Sequence, residues 1–193
     1  MSFFPAYFSL KDKRILLVGG GLIALEKLEK LVDFTENITI VAREVSEDFL
    51  KFATKHSIDI QQRSYKKGDI EDFDIVIVAT DTVQIHKEIY DESRSSRILV
   101  NSVDNTAYCD FIFPSYVKKG DLTISISTGG ASPAMAKRLR QYIEKLIPSN
   151  IAQFLQEMRE LRGVIPKGRE RMKLFEEKAD SFIYKYFKTI NNN

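Results

Sequence analysis

Cysteine occurs once, at Cys109, and histidine only twice, at His56 and His86. One thiol cannot close an internal disulfide, and a chain of this length does not need one. So few His and Cys ligands argue against a standing metal site. No apolar run approaches the roughly 18–20 residues a membrane span requires. The start, Met1 to Leu10, is aromatic and lacks the basic-then-apolar order of a signal peptide, so a cytoplasmic protein is expected. Internal repeats and low-complexity segments are also missing. What the chain does have is 44% apolar and 29% charged residues over 193 positions. That is enough for a sizeable core and excludes wholesale disorder. One large domain, or one domain with a modest appendage, is the expectation.

The net charge of +2 is unevenly spread. Residues 1–136 hold 16 basic against 20 acidic side chains, and from Lys137 onward there are 13 against 7. A basic C-terminal third suits an anionic ligand, nucleic acid or an acidic partner face, or else is a set of solvated helix faces.

Short Ile/Val-rich runs alternate with helical periods through the first hundred residues. Strands are predicted at 14–19, 37–42, 58–63, 74–79 and 98–103, with helices at 22–34, 46–56 and 82–92. Nearly continuous apolar strands separated by helices predict an α/β fold with a doubly wound parallel sheet, covered on both faces. The pattern then changes. Phe111–Val117 and Leu122–Ser127 flank Lys118-Lys119-Gly120-Asp121 and predict an antiparallel hairpin. Ser132 followed by Pro133 opens a helix that reaches about Leu146. Two further helices are predicted at 149–162 and 169–188. The last carries Met172, Phe175, Ala179, Phe182 and Ile183 on an apolar face that must dock on something. Asn191–Asn193 is expected to fray.

Five of the nine glycines sit in two clusters at element junctions. Gly19-Gly20-Gly21-Leu22-Ile23-Ala24 follows the first strand, opens a helix and fits G-x-G-x-x-G/A. Gly19 serves the tight turn, Gly21 lets backbone approach a pyrophosphate, and Ala24 lets helix and strand pack closely. The helix N-terminus supplies free N–H groups for phosphates. After the second strand, Arg43-Glu44 leaves the cofactor open between NAD, with Glu44 on a ribose hydroxyl, and NADP, with Arg43 on a 2′-phosphate. Asp104 ends the fifth strand, where the carboxyl ends of a parallel sheet border the ligand crevice. It is a candidate general base, or a residue that caps the following turn. The second cluster, Ser127-Thr128-Gly129-Gly130-Ala131-Ser132-Pro133, is either an anion site backed by Lys137, Arg138 and Arg140, or a well-capped strand–turn–helix connection. His86 is read as a surface or packing residue and Cys109 as inert.

Gly19–Ala24 with Lys27, then Ala79-Thr80-Asp81, Asn101–Asp104, Asp110-Phe111, Pro114-Ser115 and Ser127–Pro133 occur in this order. Together they resemble the precorrin-2 dehydrogenase family, which includes the N-terminal part of multifunctional siroheme synthases. The resemblance covers nearly the whole chain and is weak in the last 45 residues or so. The stretch S-T-G-G-x-S-P is its most specific part. It implies NAD-dependent oxidation of precorrin-2 to sirohydrochlorin, with ferrous-iron insertion in some relatives. It also implies a homodimer with a Rossmann domain at 1–112, a dimerisation segment at 113–147 and a C-terminal helical domain at 148–193. By the same resemblance Asp104 is the catalytic residue. Gly19, Gly20, Gly21, Leu22, Ile23, Arg43, Glu44, Thr80 and Asp81 contact the cofactor, which tips it towards NAD. Ser127, Thr128, Gly129, Gly130, Ser132, Lys137, Arg138 and Arg140 face the substrate. Its eight carboxylates give the basic C-terminal third a purpose. With no methyltransferase domain following, the stand-alone form is expected.

There are departures: Glu26 replaces a usually basic residue, Glu36-Asn37 stands where a glycine is common, and His86 stands where a relative has asparagine. Thr128 replaces a phosphorylatable serine. Two rivals differ in class. A non-enzymatic NAD-sensing Rossmann module shares the glycine loop but has no need of Asp104 or S-T-G-G-x-S-P. A DNA-binding protein would use the basic helices, yet no helix-turn-helix pattern stands out, so neither nucleic acid nor membrane is expected as a partner.

Overall fold

Ile15–Val18 and Ile75–Val78 are apolar and buried at all four positions, the signature of strands covered on both faces. In the computed structural model, which describes residues 3–187, they form the centre of a five-stranded parallel sheet. The elements run β1 (Ile15–Val18), α1 (Leu22–Leu31), β2 (Ile38–Ala42), α2 (Glu47–Lys55), β3 (Asp59–Gln62), β4 (Ile75–Val78), α3 (Val83–Ser93) and β5 (Leu99–Ser102). Strand order is β3-β2-β1-β4-β5, so the chain reverses direction across the sheet between β1 and β4. In such sheets ligands bind outside the carboxyl ends of the strands at that reversal. The predicted α/β class and parallel sheet hold.

Leu16, Val18, Val41, Val76, Val78 and Val100 join Ile70, Ile89 and Ile98 in one buried cluster. Each such side chain contributes about 1.5–3 kcal/mol when fully buried. Helix α2 is capped as its sequence suggests, with Ser46 Oγ accepting from the Phe49 amide at 3.3 Å. Helix α1 ends at Leu31, three residues short of the predicted Phe34.

The described residues form two compact units that part between Ile112 and Phe113. The second contains β6 (Ser115–Lys119), β7 (Leu122–Ile126), α4 (Pro133–Leu146), α5 (Ile151–Val164) and α6 (Arg169–Tyr186). β6 starts at Ser115 rather than at the predicted Phe111, since Pro114 has no N–H to give a ladder. Lys119 pairs with Leu122, so the turn is only Gly120-Asp121, and Gly120 has φ 58°. That is the glycine-first two-residue hairpin turn. A Cβ on Gly120 would lie 2.8 Å from that of Ala152, so the turn also presses on α5.

α4 packs on both hairpin strands and α5 on β7, so the hairpin does not leave its apolar face bare. Val117 is buried. Phe182 of α6 stacks on Phe154 of α5 with ring centroids 4.3 Å apart. The predicted apolar face of α6 is only partly used, because Met172, Ala179 and Ile183 are exposed. Position 188 and the expected fraying of 191–193 lie outside the described residues.

Candidate functional site

The carboxyl ends of β1, β2, β3 and β4 surround a cavity of about 540 Å³. Gly19, Gly20, Gly21, Leu22, Ile23, Arg43, Glu44, Thr80 and Asp81, all expected at the cofactor, line it together. Arg63, Ser64, Tyr65 and Ile85 complete much of the wall and were not anticipated.

The three glycines have different jobs. Gly19 has φ 123°, and a Cβ there would lie 2.2 Å from the Ala79 carbonyl oxygen. Its amide donates to Val41 at 2.9 Å, so it belongs to the junction of β1, β2 and β4. A Cβ on Gly20 would lie 2.5 Å from the Glu44 carbonyl oxygen. Gly21 is the N-cap of α1 with no side-chain cap, and a Cβ there would meet nothing within 4 Å. Only Gly21 keeps free space clear. Ala24, fully buried one turn on, provides the close packing expected of it.

Two observations fit this cavity to a dinucleotide. The space beside Gly21 lies at a helix N-terminus, where a pyrophosphate meets unpaired N–H groups. Thr80 Oγ1, on the wall, is the one buried side-chain oxygen or nitrogen among the described residues without a hydrogen-bond partner. Buried polar atoms of this kind call for a partner. At the rim, Arg43 is ion-paired with its neighbour Glu44 at 3.2 Å, both side chains well exposed.

His86 was read as a surface or packing residue; it is not at the surface, and the structure gives it more than packing. It is buried, with Nε2 2.8 Å from the Thr80 carbonyl oxygen and Nδ1 2.5 Å from Ser102 Oγ. Since the carbonyl can only accept, Nε2 carries a proton. His86 thus ties the Thr80 segment of the wall to the end of β5. Its sequence signal is its register with Ile89 and Ser93, the other buried residues of α3. Cys109 is buried against Ser102, whose amide donates to Sγ at 3.2 Å, and burial pushes its thiol pKa up. An inert thiol is the consequence.

Asp104 follows β5, is exposed, and has φ 61°, one of three described non-glycine residues with positive φ. It is not among the residues lining the cavity. Backbone bonds from Asn105 to Ser102 at 3.2 Å and from Tyr108 to Asn105 at 3.1 Å close the turn without its carboxylate. The half-buried Lys27 of α1 is nearby. Burial and Lys30 lower the Lys27 pKa, while Glu26, Asp104 and Cys109 pull it back. Asp110 is held by Arg94 through two bonds of 2.9 and 2.6 Å and accepts from the Val100 amide.

In the second unit, the loop expected to bind anions is largely engaged with itself. Ser127 Oγ accepts from Gly129, Thr128 Oγ1 from Ser132, and Ser132 Oγ from Met135, at 3.1–3.2 Å. The Thr128 carbonyl takes the Ala131 amide. Gly129 and Gly130 have φ 62° and 88°, with open space beside both. Of the basic residues behind them, Lys137 and Arg138 are exposed, and Arg140 pairs with Glu144.

A family model described as NAD(P)-binding matches residues 6–115, and one described as sirohaem biosynthesis protein central matches residues 119–146. The chain belongs to the family of the NAD(P)-binding model, which spans more than half of it. The chain is also 34% identical over 163 residues to siroheme synthase of Pseudoalteromonas atlantica, covering 83% of this chain and 35% of that one. It is 34% identical over 180 residues to the Methylococcus capsulatus enzyme, covering 91% and 38%. The chain therefore spans little more than a third of the length of these relatives. The solved structure of SirC, precorrin-2 dehydrogenase, is 23% identical and superposes with a TM-score of 0.80 over 97% of this chain and 93% of that one, which shows a shared fold. Along this chain the NAD(P)-binding match comes first and the sirohaem central match after it. Among the described residues no helix is long and apolar enough to cross a membrane, and no cluster of His, Cys, Asp or Glu could hold a metal ion.

Proposed function

We propose that this chain oxidises precorrin-2 to sirohydrochlorin with NAD as acceptor, as a cytoplasmic homodimer. The observation that carries the reading is Asp104: a carboxylate outside the turn's hydrogen bonds, in a left-handed backbone conformation, at the carboxyl end of a strand in a dinucleotide-binding sheet. Left-handed residues cost free energy unless they are glycine, with Asp among the more tolerant, and they concentrate at functional sites.

The α1 N-terminus and Gly21 would hold the pyrophosphate and Glu44 the adenosine ribose, with Thr80 and Asp81 also in contact with the cofactor. When bound, NAD accepts a hydride. Asp104 takes the proton that the macrocycle loses in the same oxidation, so electrons and protons balance. An acidic residue on the cavity wall just after β2, Glu44, favours NAD, since a carboxylate there suits a ribose hydroxyl and repels a 2′-phosphate. Residues 113–147 serve as the dimerisation segment and 148–193 as the helical domain. Ser127 to Ser132, with Lys137, Arg138 and Arg140, receive the substrate's carboxylates.

Incubation of purified protein with NAD and precorrin-2 tests the reading. Appearance of the sirohydrochlorin absorption spectrum supports it, and nucleotide binding without turnover reassigns the chain to a sensing module. Ferrous iron enters the same assay as a substrate, and siroheme formation reports metal insertion.

A further inference from the structure

Arg63 stands on the cavity wall directly after β3, and Arg43 directly after β2. Their preceding residues, Ala42 and Gln62, are register partners, so the two arginines leave adjacent strands at equal height. Two cations side by side on a dinucleotide cavity would ordinarily favour an additional phosphate. Here each has a carboxylate of its own.

Arg63 is the more completely engaged. Nη1 donates to Asp69 Oδ2 at 2.6 Å and to the Ser64 carbonyl at 3.1 Å. Nη2 donates to Asp69 Oδ1 at 3.0 Å and to Gln61 Oε1 at 2.6 Å. Each terminal nitrogen carries two hydrogens, and all four are used. Asp69 is fixed in turn by the Lys66 amide at 2.8 Å, and its side chain is only 15% exposed. Burial pushes the Asp69 carboxyl pKa up, but the bonds from Arg63 and Lys66 outweigh this and hold it below its usual value. A two-oxygen anion facing the guanidinium fork is the geometry a phosphate would otherwise supply.

We infer that Asp69 is a specificity-determining residue: it occupies Arg63 in place of a ribose 2′-phosphate and so sets the preference for NAD over NADP. Asp69 is not itself among the residues lining the cavity; it acts through Arg63. The inference rests on the NAD reading above and extends it to a pair that the glycine fingerprint does not include.

Calorimetric titration of wild type, Asp69→Asn, and the double variant Asp69→Asn/Arg63→Gln with NAD and with NADP tests it. Wild type should bind NAD more tightly. Asp69→Asn should raise NADP affinity relative to NAD by about ten- to a hundredfold, the worth of a charge-assisted contact. The double variant should return the ratio to near the wild-type value. Should Asp69→Asn melt too early to titrate, Asp69→Ser, which keeps an acceptor for the Lys66 amide, should give the same shift. A wild-type ratio in a folded Asp69 variant overturns the inference and leaves the NAD reading standing. So does an NADP gain that survives loss of Arg63. Tighter binding of NADP by wild type overturns both.

Discussion

His86 Nδ1 lies 2.5 Å from Ser102 Oγ, and the other ring nitrogen holds the Thr80 carbonyl, so one buried imidazole joins β5 to the cavity wall. Replacing His86 with Leu roughly keeps the volume but leaves both partners unsatisfied, at a cost of about 1–3 kcal/mol. The urea midpoint should fall, and NAD affinity should weaken as the Thr80 segment loosens. An unchanged midpoint and Kd would show that the bridge does neither.

The glycines of the first loop should separate folding from binding. Gly21→Val adds a side chain where nothing stands within 4 Å, so the protein should fold and lose NAD affinity. Gly19→Ala meets the Ala79 carbonyl at 2.2 Å in a backbone region almost closed to other residues. Its conformational cost alone is about 1–3 kcal/mol. Thermal melts and NAD titrations on both variants check this, and wild-type NAD affinity in folded Gly21→Val would remove the pyrophosphate from this loop.

The sheet and the glycine loop were legible because their signals are local. Apolar runs such as Ile75–Val78 read as doubly covered strands, and Gly19–Ala24 reads as a fixed spacing. The start of the hairpin was less legible. Phe111 looks like a strand residue, but its carbonyl accepts from Asn101 Nδ2 at 2.8 Å, a partner ten residues away. Arg63 and Asp69 were missed for the same reason. A fork between residues six apart depends on the loop's path, although the rule that singled out Asp104, at the carboxyl end of a parallel strand, applies equally to Arg63. In the Ser127–Ser132 loop the sequence offered both an anion site and a cap, and local hydroxyl-to-amide bonds supply the caps.

Acid should destabilise the sheet unit through identified carboxylates. The Lys13 and Arg14 donors hold the Asp74 pKa below its ordinary 3.8. Asp69 is also held below 3.8. Folding lowers these pKa values, so the stability they contribute is full above the unfolded value and is lost as pH falls through the folded ones. Urea midpoints should be flat down to about pH 5 and drop below about pH 4. Asp74→Asn should start lower and decline less. An equal decline in that variant would assign acid sensitivity elsewhere.

Met135, Leu139, Tyr142 and Leu146 are exposed at spacings of four, three and four along α4, which puts them on one face. A second copy is the proposed cover. Light scattering should give twice the 22.2 kDa chain mass, and Leu139→Glu should lower it. A monomer at micromolar concentration would contradict the homodimer.

Asp104→Ala decides the central claim. The residue lies outside the hydrogen bonds of its turn, and the Gly19–Ile23 loop is untouched by the change. NAD affinity should therefore stay near wild type, and the melting temperature should fall only modestly, because alanine tolerates the positive φ of this position less well than aspartate. Single-turnover oxidation of precorrin-2, followed by the sirohydrochlorin spectrum, should slow by about 10²- to 10⁴-fold, the usual worth of a general base. An Asp104→Ala protein that turns over at the wild-type rate, with or without a lower melting temperature, would contradict the account.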